Sequence, residues 1–271
     1  MGGSTTSERD ALLAFELGLD ERVCDEVRTE TWGRLFLTPS LPLIWDANWV
    51  AIERPGLGIG EIVAIADEAL GGAGYDHRTV AILDAAEGRR IAEEMEERGH
   101  AWPGWEVERN RYMAWRGGPV ERAPGAEVRE TSLAEIADLR RQLIAESMPS
   151  TVDEFEATVD QLLKQERRYG IAAGDRWFAA PAEGEPLAAC CLFRRGGIAQ
   201  VEEVATREEA RERGLAKAIV GAAVAAAQAA GDERIFLVAD AADWPQLLYA
   251  KLGFEAVGDI TILRRAPGRT T

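Results

Sequence analysis

In the second half of the chain the spacing of apolar residues switches between two periods in a readable order. Residues 127–130 read as a short strand, after which Leu133, Ile136, Leu139, Leu143 and Ile144 recur at helical spacing, with Ser132 as a cap and Glu135 three residues later. A second helix is predicted over 152–169. The period then shortens to that of strands over 176–180, 187–194 and 199–206, and turns at Glu183-Gly184-Glu185-Pro186 and Gly196-Gly197 make these an antiparallel meander. An alanine-rich helix over 215–230 stops at Gly231; 234–239 reads as a buried strand, 245–252 as a helix and 254–264 as closing strands. The order β-α-α-β-β-β-α-β-α-β describes an α/β sheet with helices packed on it.

The first half carries a weaker copy of this order. Val80-Ala81-Ile82-Leu83-Asp84-Ala85-Ala86, a helix ending at Met95 to Gly99, and 105–115 parallel Phe236-Leu237-Val238-Ala239-Asp240-Ala241-Ala242, a helix ending at Tyr249 to Gly253, and 254–264. Upstream, 49–53, a glycine-bearing loop and a helix over 62–70 parallel 204–206 with its own loop and helix. Between the halves, 117–125 is rich in turn formers and has no hydrophobic period. The chain is therefore read as a duplicated fold with domains at 1–120 and 126–271.

Composition narrows the chemistry. No apolar stretch has the roughly 18 to 20 residues of a membrane span, and the first ten residues are polar, so a soluble, cytoplasmic protein is expected. A net charge of −16 disfavours nucleic acid and anionic membranes as partners and mildly favours a cationic substrate. Cys24 stands alone, and Cys190 and Cys191 are adjacent and so point to opposite faces of a strand, which leaves neither a disulfide framework nor a zinc spacing. His77 and His100 have no ligating partners nearby in sequence, so no metal is expected and both are read as surface residues.

One segment stands out within this acidic chain. From Val204 to Val220 a strand end, a basic glycine turn and a helix start follow one another, and the turn runs Arg211-Glu212-Arg213-Gly214-Leu215-Ala216-Lys217. The first helical turn has unpaired N–H groups and the positive end of the macrodipole, so the arrangement binds anions; Arg211, Arg213 and Lys217 add charge around it. Arg211-x-x-Gly214-x-Ala216, with Tyr249-Ala250-Lys251-Leu252-Gly253-Phe254 downstream, resembles the Gcn5-related N-acetyltransferase (GNAT) family over about 126–266. That resemblance implies a mixed, largely antiparallel sheet flanked by helices and acetyl-CoA as co-substrate, without a metal. It implies that residues 211–217 cradle the pyrophosphate of coenzyme A and that the backbone of Val204, Ala205 and Thr206 holds the pantetheine arm. Two positions depart from the family pattern: Glu208 stands where a proline is usual, and Asp243-Trp244-Pro245 lacks the customary asparagine.

Acetyl transfer to an amine needs a proton acceptor, donors for the developing oxyanion and a proton for the departing thiolate. The resemblance makes Tyr249 the general acid and a backbone N–H near Val204 the oxyanion donor. Gln200 occupies the position of the base in the histone-acetylating branch and cannot serve as one, so Glu202, on the same strand face, is the first candidate and Glu203 the second if a bulge twists the strand. In the first half, Pro55-Gly56-Leu57-Gly58-Ile59-Gly60 lacks the arginine motif and Met95 replaces the tyrosine, which reads as a structural turn in a degenerate copy. The sequence thus describes an N-acetyltransferase with one cofactor per protomer, acting as monomer or homodimer on a primary amine, a small molecule before a protein. The alternative is a non-catalytic acyl-CoA-binding or regulatory module.

Overall fold

Each run of apolar residues in the computed structural model is placed by what it covers. The structure describes residues 7–98, 101–117, 127–148, 154–182 and 185–268. In chain order the first elements are α1 (Glu8–Val23), β1 (Glu26–Glu30), β2 (Gly33–Leu37), β3 (Trp49–Ile52), α2 (Ile59–Gly72), β4 (Arg78–Ile82), α3 (Ala85–Arg98) and β5 (Trp105–Trp115). They are followed by β6 (Arg129–Thr131), α4 (Ala137–Ser147), α5 (Phe155–Ala173), β7 (Arg176–Ala182), β8 (Glu185–Arg195) and β9 (Ile198–Thr206). The last are α6 (Leu215–Ala229), β10 (Arg234–Asp240), α7 (Pro245–Lys251) and β11 (Phe254–Arg265). From β6 to β11 this is the order read from the sequence.

Two compact units result, and they do not follow the linear division at 120/126. One comprises Met1–Leu19, Tyr112–Val238 and Trp244–Val257; the other comprises Asp20–Arg111, Ala239–Asp243 and Gly258–Thr271. The N-terminal helix thus belongs with second-half elements, and the C-terminal strand with first-half elements. The expected boundary lies mostly outside the described residues, as does His100.

In the first unit β6, β7, β8 and β9 form the antiparallel meander, and β10 adds parallel to β9. β8 is central: Ala188 to Phe193 are all buried, which explains why this stretch reads as one apolar run rather than an alternation. Cys190 and Cys191 lie in that run, and burial pushes both thiols up, so they are inert core residues. Helix α6 lies over β7, β8 and β9; of its buried residues, Leu215, Ala218, Ile219, Val220, Gly221, Ala223, Val224 and Ala227, half are alanine or glycine, which lets the helix backbone approach closely. The predicted helix from 133 starts later, at Ala137. Ser132 and Glu135 do bond reciprocally, the Ser132 N–H to the carboxylate at 3.0 Å and the Glu135 N–H to Oγ at 3.3 Å, but they close a separate turn ahead of α4.

The second unit repeats the plan: β1, β2 and β3 are antiparallel, β4 is parallel to β3, and β11 closes antiparallel on β4 through Thr261–Arg265. Leu35, Val50, Ile52, Ile62, Leu70, Val80, Ile82 and Ile91 form its core. His77 lies in this unit and is not a surface residue. It is 3% exposed, its Nε2 is 2.9 Å from the Asn48 carbonyl oxygen, and its ring stacks on Trp45; burial holds its pKa below the usual value. Between two indole- or tyrosine-bearing segments it is a packing residue, which the sequence spacing alone could not reveal.

Candidate functional site

The site begins where two parallel strands stop pairing. β9 and β10 are hydrogen-bonded in register only from Ile198↔Arg234 to Gln200↔Phe236, although β9 continues for six more residues to Thr206. From Val201 onward β9 is held by β8 alone, which leaves its other backbone edge open. The β8–β9 register also slips between Ala189↔Ala205 and Cys191↔Glu202, a bulge that sets Glu203 at φ 56°, in the left-handed region. Val204, Ala205 and Thr206 lie just past it, half-buried, and Thr206 Oγ1 is buried without a hydrogen-bond partner.

The bulge is fastened from below by a buried ion triad. Arg140, on the inner face of α4, is 2% exposed and bonds the carboxylates of both Glu166 (α5) and Glu203; its Nη1 also reaches the Glu203 carbonyl at 3.5 Å. Its guanidinium lies 5.2 Å from the Trp177 ring. The two carboxylates hold Arg140 protonated, while burial and the Glu203 charge push the Glu166 carboxyl up. Glu203, the second candidate base, is therefore committed to Arg140.

At the open end of β9 the chain enters the basic turn. Arg207 bonds Glu146 and Gln142 of α4, and the Glu208 N–H donates to Glu146 at 3.0 Å, so the turn leaves from a fixed point. Glu208 opens a short 3-10 turn, which shows how the chain does without the usual proline. Glu212 and Gly214 have φ of 64° and 77°, and Gly214 caps α6. Arg211, Glu212, Arg213 and Gly214 are exposed, Ala216 and Lys217 half-buried, and Leu215 anchors the first helical turn in the core. No described residue forms an ion pair with Arg211 or Arg213. An open strand edge, an orphaned hydroxyl and free cations at a helix N-terminus fit a ligand with an amide-bearing arm and a phosphate head.

Beside the open edge stand a carboxylate and a phenol. Glu202 accepts a hydrogen bond from Gln200 Nε2 at 2.6 Å; burial first, then the charges of Glu16 and Glu203, push its carboxyl well above the usual range, against the Gln200 bond. Tyr249, 8% exposed on α7, packs edge-on against Phe254; burial, then the charge of Glu202, push its phenol up. The same Gln200 Nε2 donates to Glu16 of α1 at 2.5 Å, and Tyr112 bonds the other oxygen of Glu16. Glu16, Arg140 and Glu166 escaped the sequence reading. A signal for Glu16 existed: Leu12, Phe15, Glu16 and Leu19 follow the spacing of one apolar helix face, and an acid on such a face is placed against the core.

Among its described residues the second unit has neither the open strand edge nor the open anion turn. Val50–Ile52 pair with Val80–Ile82 to the end of β3, and the Leu83 N–H continues onto the Ile52 carbonyl at 3.1 Å, so no strand edge opens. Its glycine loop is filled by the protein itself: the Gly56 N–H donates to Glu87 at 3.0 Å, the Gly58 N–H to Glu61 at 2.9 Å, and Arg90 bonds the Leu57 carbonyl at 2.6 Å. Met95 is buried in the core. Among the described residues no cluster of His, Cys, Asp or Glu could hold a metal ion, and no helix is long and apolar enough to cross a membrane.

A meander joined to a parallel strand that parts from it, with a basic helix cap at the parting, is a geometry that can hold an anion-headed ligand. Residues 140–254 match the model of the acetyltransferase (GNAT) family. Solved structures share the fold over nearly the whole chain. A GCN5-related N-acetyltransferase from Kribbella flavida is 16% identical, with 98% of each chain covered and a TM-score of 0.62. A functionally unknown conserved protein from Staphylococcus epidermidis is 13% identical over 89% of this chain and 94% of its own, with a TM-score of 0.67. A tandem GNAT protein from the clavulanic acid biosynthesis pathway is 14% identical over 88% and 79%, with a TM-score of 0.55. No curated protein matches the sequence.

Proposed function

We propose that the chain is an acetyl-CoA-dependent N-acetyltransferase that moves an acetyl group directly to a primary amine, with a small cationic amine preferred over a protein. The observation that carries this is the parting of β9 from β10 beyond Gln200, next to the basic N-terminus of α6. The open edge at Val204, Ala205 and Thr206 supplies backbone donors and acceptors for an amide-bearing arm, and the first-turn amides of α6 with Arg211, Arg213 and Lys217 supply charge for the phosphates. When bound, acetyl-CoA supplies a thioester whose C–S bond breaks as the acetyl carbon bonds to nitrogen. A backbone N–H near Val204 stabilises the developing oxyanion.

Glu202 takes the proton shed by the amine. Its raised pKa suits this, because a stronger base is better matched to an ammonium. Tyr249 keeps its proton at Oη across the neutral range and donates it to the departing thiolate. The two steps are coupled: the Glu202 charge helps hold the proton on Tyr249, so protonation of Glu202 removes that hold and makes the phenol a stronger acid as the thiolate leaves. This reading makes the protein a cytoplasmic monomer or homodimer with no nucleic-acid or membrane partner, consistent with its charge of −16.

The test combines calorimetric titration of CoA with thiol release from acetyl-CoA over a panel of primary amines. Binding together with amine-dependent thiol release that falls in Glu202→Gln and Tyr249→Phe supports the proposal. Binding without release for any amine leaves the non-catalytic acyl-CoA module instead.

A further inference from the structure

The N-terminal helix reaches the site from outside the segment that matches the family. Gln200 is 3% exposed, and its single side-chain nitrogen bonds two carboxylates, Glu16 Oε1 at 2.5 Å and Glu202 Oε1 at 2.6 Å. An amide nitrogen has two hydrogens, so both are used, and the two oxygens can be no further apart than the two bonds laid end to end. Glu16 is fixed on its far side by the Tyr112 hydroxyl and along its helix by Leu12, Phe15 and Leu19, all buried; Phe15 meets Phe236 of β10 edge-on. A mobile surface glutamate would not be fastened in this way.

We propose that Glu16 is a positioning residue for acetyl transfer: by taking one N–H of Gln200 it aims the other at Glu202, and its charge makes Glu202 a stronger proton acceptor. The inference rests on the acetyl-transfer reading for its kinetic consequence, and on Gln200 geometry for the rest. It assigns a role in the chemistry to a helix more than a hundred residues ahead of residues 140–254. The groups facing Glu202 are Glu16 from α1, Gln200 and Glu203 from β9, Cys191 opposite it on β8, and Tyr249 from α7. Tyr112 of β5 faces Glu16. Of these, Glu16 and Glu203 carry like charge, and Arg140 already neutralises much of Glu203. Glu16 is therefore the charge whose removal should move Glu202 most.

The test follows the carboxyl carbons of glutamate-labelled full-length protein by 13C NMR across pH, with the Glu202 signal assigned by its loss in Glu202→Gln. Glu16→Gln keeps an acceptor for Gln200 and removes the charge, so the Glu202 midpoint should fall by roughly one unit. Glu16→Asp, which keeps the charge, should leave it near the wild-type value. Gln200→Leu removes a bond that favours the anion, so the midpoint should rise, opposite in sign to Glu16→Gln. With an amine that supports turnover, the acid limb of kcat/KM should move down with the midpoint in Glu16→Gln while the CoA Kd stays within twofold. A folded Glu16→Gln protein with an unmoved Glu202 midpoint overturns the proposal. If Glu16→Gln does not fold, Gln200→Leu decides: an unchanged or lowered midpoint overturns it. If no amine is acetylated, the acetyl-transfer reading fails by itself, and the titration still decides whether Glu16 sets Glu202.

Discussion

Replacing Arg140 by methionine removes the cation that bonds both Glu166 and Glu203 beneath the β9 bulge. Glu166 is 7% exposed and would remain buried without its partner; Glu203 is 38% exposed, and solvent would screen its share. Breaking a buried pair from one side costs about 3–5 kcal/mol. That cost has a ceiling set by pH. Glu166 can take up a proton, and its folded pKa, already pushed up to about 7, would rise further without Arg140. A carboxyl raised by folding leaves stability intact below its unfolded pKa and drains it as pH climbs toward the folded value, at about 1.4 kcal/mol per unit. The pH-dependent part of the deficit should therefore be near zero at about pH 5.5, where Glu166 is protonated in both proteins. It should grow by about 1.4 kcal/mol per unit above the wild-type value, so the total is larger near pH 8, approaching about 3–5 kcal/mol and a fall in Tm on the order of 10 °C. Urea unfolding followed by tryptophan fluorescence at the two pH values measures it, with Trp177 stacked on Arg140 as a local reporter. Arg140→Met with Glu166→Met leaves no buried charge and should recover most of the loss. An equal deficit at both pH values, or a double variant no better than the single, would refute the reasoning.

Other consequences follow from the same geometry. Tyr249→Phe should lower kcat about a hundredfold with the CoA Kd within twofold, because the phenol is assigned a proton and not a binding contact; an equal loss in both would sink that role. Gly214→Ala places a Cβ at φ 77°, a strain of about 1–2 kcal/mol, and should weaken CoA binding roughly tenfold in calorimetry, with Arg211→Ala in the same direction. The acid limb of kcat/KM should lie well above the usual carboxylate range, since Glu202 must be ionised to accept a proton and its pKa is raised; a limb near the ordinary glutamate value would remove Glu202 as base. Calorimetry should give one CoA per chain, and Arg54→Ala in the second unit should leave both stoichiometry and Kd unchanged.

What the sequence disclosed and what it hid divide along physical lines. The elements from β6 to β11 were readable because period, alanine content and glycine stops act locally: Gly214 and Gly231 bracket α6 by their backbone conformations, and both show as glycines in the sequence. The anion turn was readable for the same reason. Glu203 illustrates the limit. Its sequence neighbours make it a candidate base, but its fate is decided by Arg140, 63 residues away, whose long side chain lies on the buried face of α4 beside Leu139 and Leu143. Glu16 lies still further off, 184 residues from Gln200, and no local period links the two. His77 was misread on similar grounds, because its partner Asn48 is 29 residues away. The compact units likewise cut across a linear division, since residues 8–19 of α1 and 258–265 of β11 each group with elements of the opposite half.

The two units show why a copied fold can outlive its site. Strand order and core are common to both, since burial of Val50, Ile52, Val80 and Ile82 in one unit and of Ala199, Val201, Ile235 and Phe236 in the other requires no ligand. The site requires two things that burial does not enforce: a strand edge left unpaired and helix-terminal amides left without an internal acceptor. Each leaves backbone groups that only water or a ligand can pair, and wherever they are buried that is unfavourable in an unliganded protein. In the second unit the edge is closed by pairing to the end of β3, and the loop amides of Gly56 and Gly58 ahead of α2 are taken by the carboxylates of Glu87 and Glu61. A carboxylate at these amides stands where an external anion would have to sit, and it repels one. In the first unit the ladder stops at Gln200 and Thr206 Oγ1 lacks a partner, the state that the proposed coenzyme A site requires.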